Sequence, residues 1–310
     1  MVNSISFFIK TYICITKLNT KMIDYNLYDK ELNNWIDNEK IAANLLNLTG
    51  QLMYDKGIEI VLFRQNILDV GVTELMRLVA YAENVVERKI DLKTALALTQ
   101  VISDLELPPS KLDLGLLTAE YLEEKPENHK TFIKAKLKEI IDSKISFSPR
   151  DIVLFGFGRI GRLAARELIR QAGKGQQMRL KAIVVRNITD EQIIKRANLL
   201  RNDSVHGSFK GLVELDIDKR IIIVNGQIIH LIDGSKPETI DYEKYGIKNA
   251  LLIDNTGAFK SKEALSCHLK AKGIKKVLLT APGTEIPNIV YGINNKNIDI
   301  NKTDIFSAAS

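Results

Sequence analysis

The chain changes its hydrophobic rhythm near its middle. From about Tyr28 to Lys144, apolar residues recur at steps of three and four, which puts them on one face of a helix. "VTELMRLVAYAENVVERK" sets Val72, Leu75, Val79, Ala82 and Val86 on one stripe. Leu98, Val101, Ile102 and Leu105 make a second, and Ile133, Leu137, Ile140 and Ile141 a third. Thr73 and Asp91 stand where helix caps belong, while Gly71, Pro108-Pro109 and Pro126 interrupt the run. The pattern predicts an all-α helical extension over residues 22–148. His129 stands there among charged residues and reads as a solvated side chain, and nothing in this half groups His, Cys and carboxylates at catalytic or metal spacing.

After "SFSPRD" the period shortens. "DIVLF", "LKAIVV", "GLVELDI", "RIIIV", "QIIHLI", "ALLID" and "KKVLLT" are short apolar runs that read as strands. "IGRLAARELIRQA", "DEQIIKRANLLR" and "SKEALSCHLKAKG" read as helices between them. Continuous apolar strands alternating with helices predict an α/β class, a doubly wound, mostly parallel sheet over residues 149–310.

Composition adjusts this picture little. Hydrophobic residues are 45% and charged ones 26%, the balance of a globular protein. The net charge of +6 suits anionic partners such as phosphorylated metabolites, nucleotides or nucleic acid, and serves equally for solubility. Aromatic residues are only 6% with no stacking pattern along a basic strand, which counts against nucleic acid. Two cysteines, Cys14 and Cys267, build no disulfide framework, so a cytoplasmic setting is expected. No apolar run reaches the roughly 18 residues of a membrane span. Residues 1–21, ahead of Met22, lack the basic start and cleavage site of a signal peptide; an upstream start codon accounts for them better.

The chemistry gathers at the first strand-to-helix turn, "FGFGRIGR". Gly156, Gly158 and Gly161 stand in G-x-G-x-x-G order. The first glycine permits the tight turn, the second lets a pyrophosphate approach the backbone, and the third lets helix and strand pack closely. The helix start then offers free N–H groups and its dipole to the phosphates. The motif follows an apolar strand and opens an amphipathic helix, the context it requires.

Six motifs occur in order: "GFGRIGR", "DSVHGSFKG", "DNTGAF", "TAPG", "VYGIN" and "SAAS". Together they resemble the cofactor-binding half of the glyceraldehyde-3-phosphate dehydrogenase family, and the helical half resembles the N-terminal extension of a longer bacterial subclass. The resemblance implies a Rossmann-type domain and NAD or NADP as cofactor. It implies a phosphorylating oxidation of glyceraldehyde 3-phosphate in glycolysis, with the phosphorylated aldehyde and phosphate as small-molecule partners and a homo-oligomeric complete enzyme. Gly156, Phe157, Gly158, Arg159, Ile160 and Gly161 would line the pyrophosphate, Thr256 and Gly257 the adenine side, and Thr280 and Ala281 the nicotinamide. Ser310 would be the hydroxyl residue beside the nucleophile, and the family's catalytic Cys would follow it at once; the chain ends there. The resemblance therefore implies a chain cut before its catalytic Cys and inactive alone.

Cys267 reads as packing, His268 as a helix-surface residue beside it, and His206 as holding a loop. Two departures bear on the cofactor. Where the resemblance places an NAD-selecting aspartate after Asn187 the chain has Ile188, with Arg186 just before, and Ser235 replaces an arginine near the adenine. Without the carboxylate, discrimination against a 2′-phosphate is lost; NAD and NADP both stand. An erythrose-4-phosphate dehydrogenase-like enzyme and a non-catalytic nucleotide- or RNA-binding module stand as alternatives.

Overall fold

The computed structural model describes residues 25–85, 87–88, 90–143, 149–171 and 178–308. The expectations for the leader, Cys14, Val86 and Ser310 lie outside them. The chain divides into two compact units. The first comprises Met1–Leu52, Glu59–Glu106 and Lys111–Glu139; the second comprises Met53–Ile58, Leu107–Ser110 and Ile140–Ser310.

The first unit is mainly helical. Helices α1 (Tyr25–Gln51), α2 (Val72–Val85), α3 (Leu92–Ser103), α4 (Leu114–Glu124) and α5 (His129–Lys136) are followed by the single turn α6 (Lys138–Asp142). Strands β1 (Ile58–Leu62), β2 (Gln65–Asn66) and β3 (Ser110–Asp113) form a small sheet in the order β2-β1-β3 that the helical periodicity did not reveal. The apolar stripes do face a core: Leu75, Ala82, Leu98, Ile102 and Ile133 are all buried. Asp91 caps α3 as expected, accepting from the Thr94 N–H. Thr73 does not cap α2. The helix begins one residue before it, with the Leu75 N–H bonded to the Gly71 carbonyl. The third stripe breaks at Leu137 into α5 and α6, leaving Ile141 exposed. His129 is half-buried rather than solvated, its ring stacked on Tyr121 at 4.7 Å.

In the second unit an eight-stranded sheet has the order β13-β12-β11-β4-β5-β10-β9-β8. Its strands are β4 (Arg150–Phe155), β5 (Met178–Val185), β8 (Val213–Asp216), β9 (Ile221–Val224), β10 (Gln227–Asp233), β11 (Ala250–Asp254), β12 (Ile274–Leu279) and β13 (Ile305–Ser307), while the short β6 (Asn202–Asp203) and β7 (Gly207–Ser208) pair apart from it. All pairings from β13 to β10 are parallel, and β9 and β8 extend the sheet antiparallel. The strand β4 occupies the centre, with β5 and β10 on one side and β11, β12 and β13 on the other. This is the doubly wound Rossmann arrangement, whose crevice lies where the order reverses, between β4 and β11.

Period-two alternation divides the core. Ile152 and Leu154 face one layer with Ala165, Leu168 and Ile193 of helices α7 (Arg159–Arg170) and α8 (Asp190–Arg201). Val153 and Phe155 face the other, with Tyr242, Ile247 and Leu265. On β5 the alternation slips. Leu180 and Ile183 share a face because a register shift opposite Ile152/Val153 passes over Lys181. Lys276 of β12 holds the last strand in place: its Nζ donates to the Ile300 and Thr303 carbonyls at 2.5 and 2.8 Å, just ahead of β13.

Candidate functional site

The end of β4 runs into Gly156, whose φ of +92° suits glycine and whose N–H bonds to the Val184 carbonyl of β5. Gly158 then begins α7 without any side-chain cap. The first-turn N–H groups are thus left for an anion, with the positive end of the helix dipole behind them. A Cβ on Gly161 would sit 2.3 Å from the Gly156 carbonyl oxygen, so only glycine lets helix and loop come this close.

A cavity of about 260 Å³ opens beside this turn, lined among others by Gly156, Phe157, Gly158, Arg186, Arg196 and Thr256. Five of the expected site residues therefore meet in one place. Arg159 and Ile160 are exposed in the first turn of α7, and Asn187 holds a left-handed backbone, φ +60°, in the turn after β5. Ile188 lines a neighbouring recess of about 550 Å³ instead. Ser235 in that recess is tied back to Asp233 through its N–H and hydroxyl.

Asp254, fully buried at the end of β11, organises the far side of the crevice. Its Oδ1 accepts the Thr256 N–H and hydroxyl at 2.8 and 2.7 Å, and its main-chain oxygen accepts the Thr280 N–H and hydroxyl at 3.0 and 3.1 Å. Gly257 follows Thr256 in a left-handed conformation, and Ala281 packs partly buried on the adjoining core. His268 completes the arrangement and overturns its reading as a helix-surface residue. It is wholly buried, with Nε2 3.1 Å from Asp254 Oδ2 and its ring against Phe155 and Phe259 at 4.6 and 5.0 Å. The expected helix "SKEALSCHLKAKG" is also shortened. α9 (Lys262–Leu265) gives way to a 3₁₀ turn, Ser266–Lys270, where the Ser266 hydroxyl takes the Glu263 carbonyl. That turn swings His268 inward.

Arg162 of α7 joins the site to the loop after α8. It donates from Nη2 and Nε to Asp203 Oδ2 at 2.6 and 3.1 Å, while Asp203 Oδ1 accepts the Val205 and His206 N–H groups. His206 serves this loop through its main chain, and its side chain is exposed. The Arg162 guanidinium, helped by the two N–H groups, holds the Asp203 carboxyl well below the usual carboxylate range. The stabilisation from a depressed carboxyl is fully present above its unfolded value of about pH 4 and is lost as pH falls through the folded value. Arg162→Met is accordingly expected to flatten the acid limb of stability. Urea unfolding repeated from about pH 6 to about pH 2 reads this out, and an unchanged limb would place the acid sensitivity elsewhere.

Arg196, Asp254 and His268 were not singled out as site residues by the sequence. Asp254 stood inside a quoted motif and could have been found there; Arg196 reads as a charge on an amphipathic helix and gave no signal.

The comparisons with known proteins agree with this geometry. The family model described as "Glyceraldehyde 3-phosphate dehydrogenase, NAD binding domain" matches residues 150–262. A glyceraldehyde-3-phosphate dehydrogenase-like protein of Pseudomonas aeruginosa is 38% identical over 272 residues, 86% of this chain and 59% of that protein, so the likeness continues into the helical half. The glyceraldehyde-3-phosphate dehydrogenase of Clostridium pasteurianum is 32% identical over 159 residues, 51% of this chain and 44% of that one. That of Streptococcus pyogenes is 35% identical over 155 residues, 50% of this chain and 43% of its own. The chain thus spans from 43% to 59% of the length of these relatives. Over residues 150–262, which β4 and its glycine turn begin, the chain is similar to the NAD-binding domain of the glyceraldehyde-3-phosphate dehydrogenases.

Proposed function

We propose that the second unit serves as the cofactor-holding half of an NAD(P)-dependent, phosphorylating glyceraldehyde-3-phosphate dehydrogenase. The observation that carries this reading is the uncapped start of α7 behind a glycine turn, set at the crevice between β4 and β11. The residues fit a dinucleotide. Gly156 to Gly161 hold the diphosphate on main-chain N–H groups, and Thr256 and Thr280, fixed by Asp254, border the two ends of the molecule. When bound, the nicotinamide supplies the hydride acceptor for an aldehyde. This chain's part is to bind and orient it.

The oxidation also needs a thiolate poised at the nicotinamide, and Cys267 does not supply one. It lies on the 3₁₀ turn between β11 and β12, where burial, with Glu238 and Asp254 nearby, pushes its thiol above the ordinary value. A nucleophile needs the opposite shift. The purified 310-residue polypeptide is therefore expected to bind the dinucleotide yet form no reduced nicotinamide from glyceraldehyde 3-phosphate, oxidised cofactor and phosphate. Turnover above the uncatalysed background, abolished by Cys267→Ser, would refute this assignment of roles.

A further inference from the structure

The cavity beside the glycine turn carries two arginines and no acid. Arg196 of α8 is half-buried there; its Nη2 donates to the Arg186 carbonyl at 2.9 Å, and its Nη1 to the Gln192 carbonyl at 3.1 Å and to Gln192 Oε1 at 3.4 Å. These are neutral acceptors. Among the described residues no carboxylate pairs with Arg196, and burial alone moves its guanidinium, downward from the ordinary value. A cation removed from water without a counter-charge is costly, so a site of this kind is completed by an anion. Arg186, exposed at the end of β5, has no side-chain partner among the described residues.

The next recess continues the same electrostatics. It shares the β5–α8 turn through Ile188 and is lined by Lys219, Arg220, Lys236 and Lys244; of its two acids, Asp233 is engaged by Ser235, and Asp241 accepts the Glu243 N–H and lies 3.9 Å from Lys272. In a dinucleotide fold the end of the second strand meets the adenosine ribose, where a carboxylate would accept the 2′-hydroxyl and repel a phosphate. Here Ile188 provides neither effect.

We infer, resting on the cofactor-holding role proposed above, that the site selects a dinucleotide bearing a 2′-phosphate, NADP(H) over NAD(H), with Arg186 and Arg196 as the phosphate's ligands. The pair reaches one anion from the end of β5 and from the body of α8: Arg196 is braced on the Arg186 carbonyl, and Arg186 is free to close over the bound group.

Isothermal titration of the 310-residue chain with NADP⁺ and with NAD⁺ tests this. NADP⁺ is expected to bind at least about tenfold more tightly, from charge-assisted hydrogen bonds to the added phosphate. Arg186→Gln and Arg196→Gln are each expected to cost NADP⁺ about tenfold or more while leaving NAD⁺ within about twofold. The Arg186 side chain makes no hydrogen bond or ion pair among the described residues, and its main-chain carbonyl survives substitution, so its variant carries the test even where Arg196→Gln disturbs the turn. NAD⁺ binding as tightly as NADP⁺ would overturn the inference. So would equal losses for both cofactors, which would put the arginines on the diphosphate the two share. Failure of the cofactor role itself looks different: neither dinucleotide would bind.

Discussion

Gly161→Ala and Gly158→Ala are expected to separate folding from binding, although each adds one methyl group to the same turn. At Gly161 the new Cβ would lie 2.3 Å from the Gly156 carbonyl oxygen and 3.2 Å from its carbon. Both are main-chain atoms and cannot swing aside, so α7 must retreat from the loop. Overpacking of this kind costs about 1–3 kcal/mol, and the displaced N–H groups weaken dinucleotide binding by roughly tenfold or more. At Gly158 a Cβ meets nothing within 4 Å and φ is −71°, so stability stays within about 0.5 kcal/mol of the parent. The methyl group points instead into the approach of the diphosphate, and binding falls without a loss of fold. Urea unfolding paired with cofactor titration reads both changes. A Gly158→Ala chain that binds normally would show that the ligand does not come to this turn.

Asp254→Ala is expected to be the most destabilising polar substitution in the second unit. It strips partners from the Thr256 N–H and hydroxyl at the exposed end of the turn and from His268 Nε2, which is wholly buried. The His268 Nδ1 already lacks a partner, so the ring would be left with none at either nitrogen. Unsatisfied buried polar groups cost about 1–3 kcal/mol each; with partial relaxation the loss is about 3–5 kcal/mol. In a unit of this size that lowers the melting temperature by roughly 6–20 °C. Asp254→Asn should recover part of this, because its amide oxygen can still accept from Thr256. Thermal melts of the three proteins test the order parent, Asn, Ala; an Ala variant melting with the parent would remove Asp254 from its organising position.

The second unit was legible in the sequence because its signals are local. "DEQIIKRANLLR" is α8 from first residue to last, and each long strand is a run of apolar residues ended by polar ones. The glycine turn was legible for the same reason: spacing and context lie within a dozen residues. The small sheet of the first unit was not, since β2 has two residues and β1 is too short to declare a period. His268 was misread because its partner, Asp254, lies on a strand 14 residues earlier, and helical periodicity carries no information about that meeting. Arg196 was missed for a related reason. A charged residue on a helix ordinarily faces water, and only the folding of α8 against the end of β5 brings it into the cavity beside the glycine turn.

The account rests on the main-chain N–H groups at the start of α7 receiving the diphosphate of a nicotinamide dinucleotide. Amide NMR spectra of the isotope-labelled, folded chain, recorded during titration with NADP⁺, address those groups directly. The Gly158, Arg159, Ile160 and Gly161 resonances are predicted to shift together, with one midpoint, and Thr256 with them. A titration that leaves those five amides in place, or moves only signals from the first unit, would contradict it.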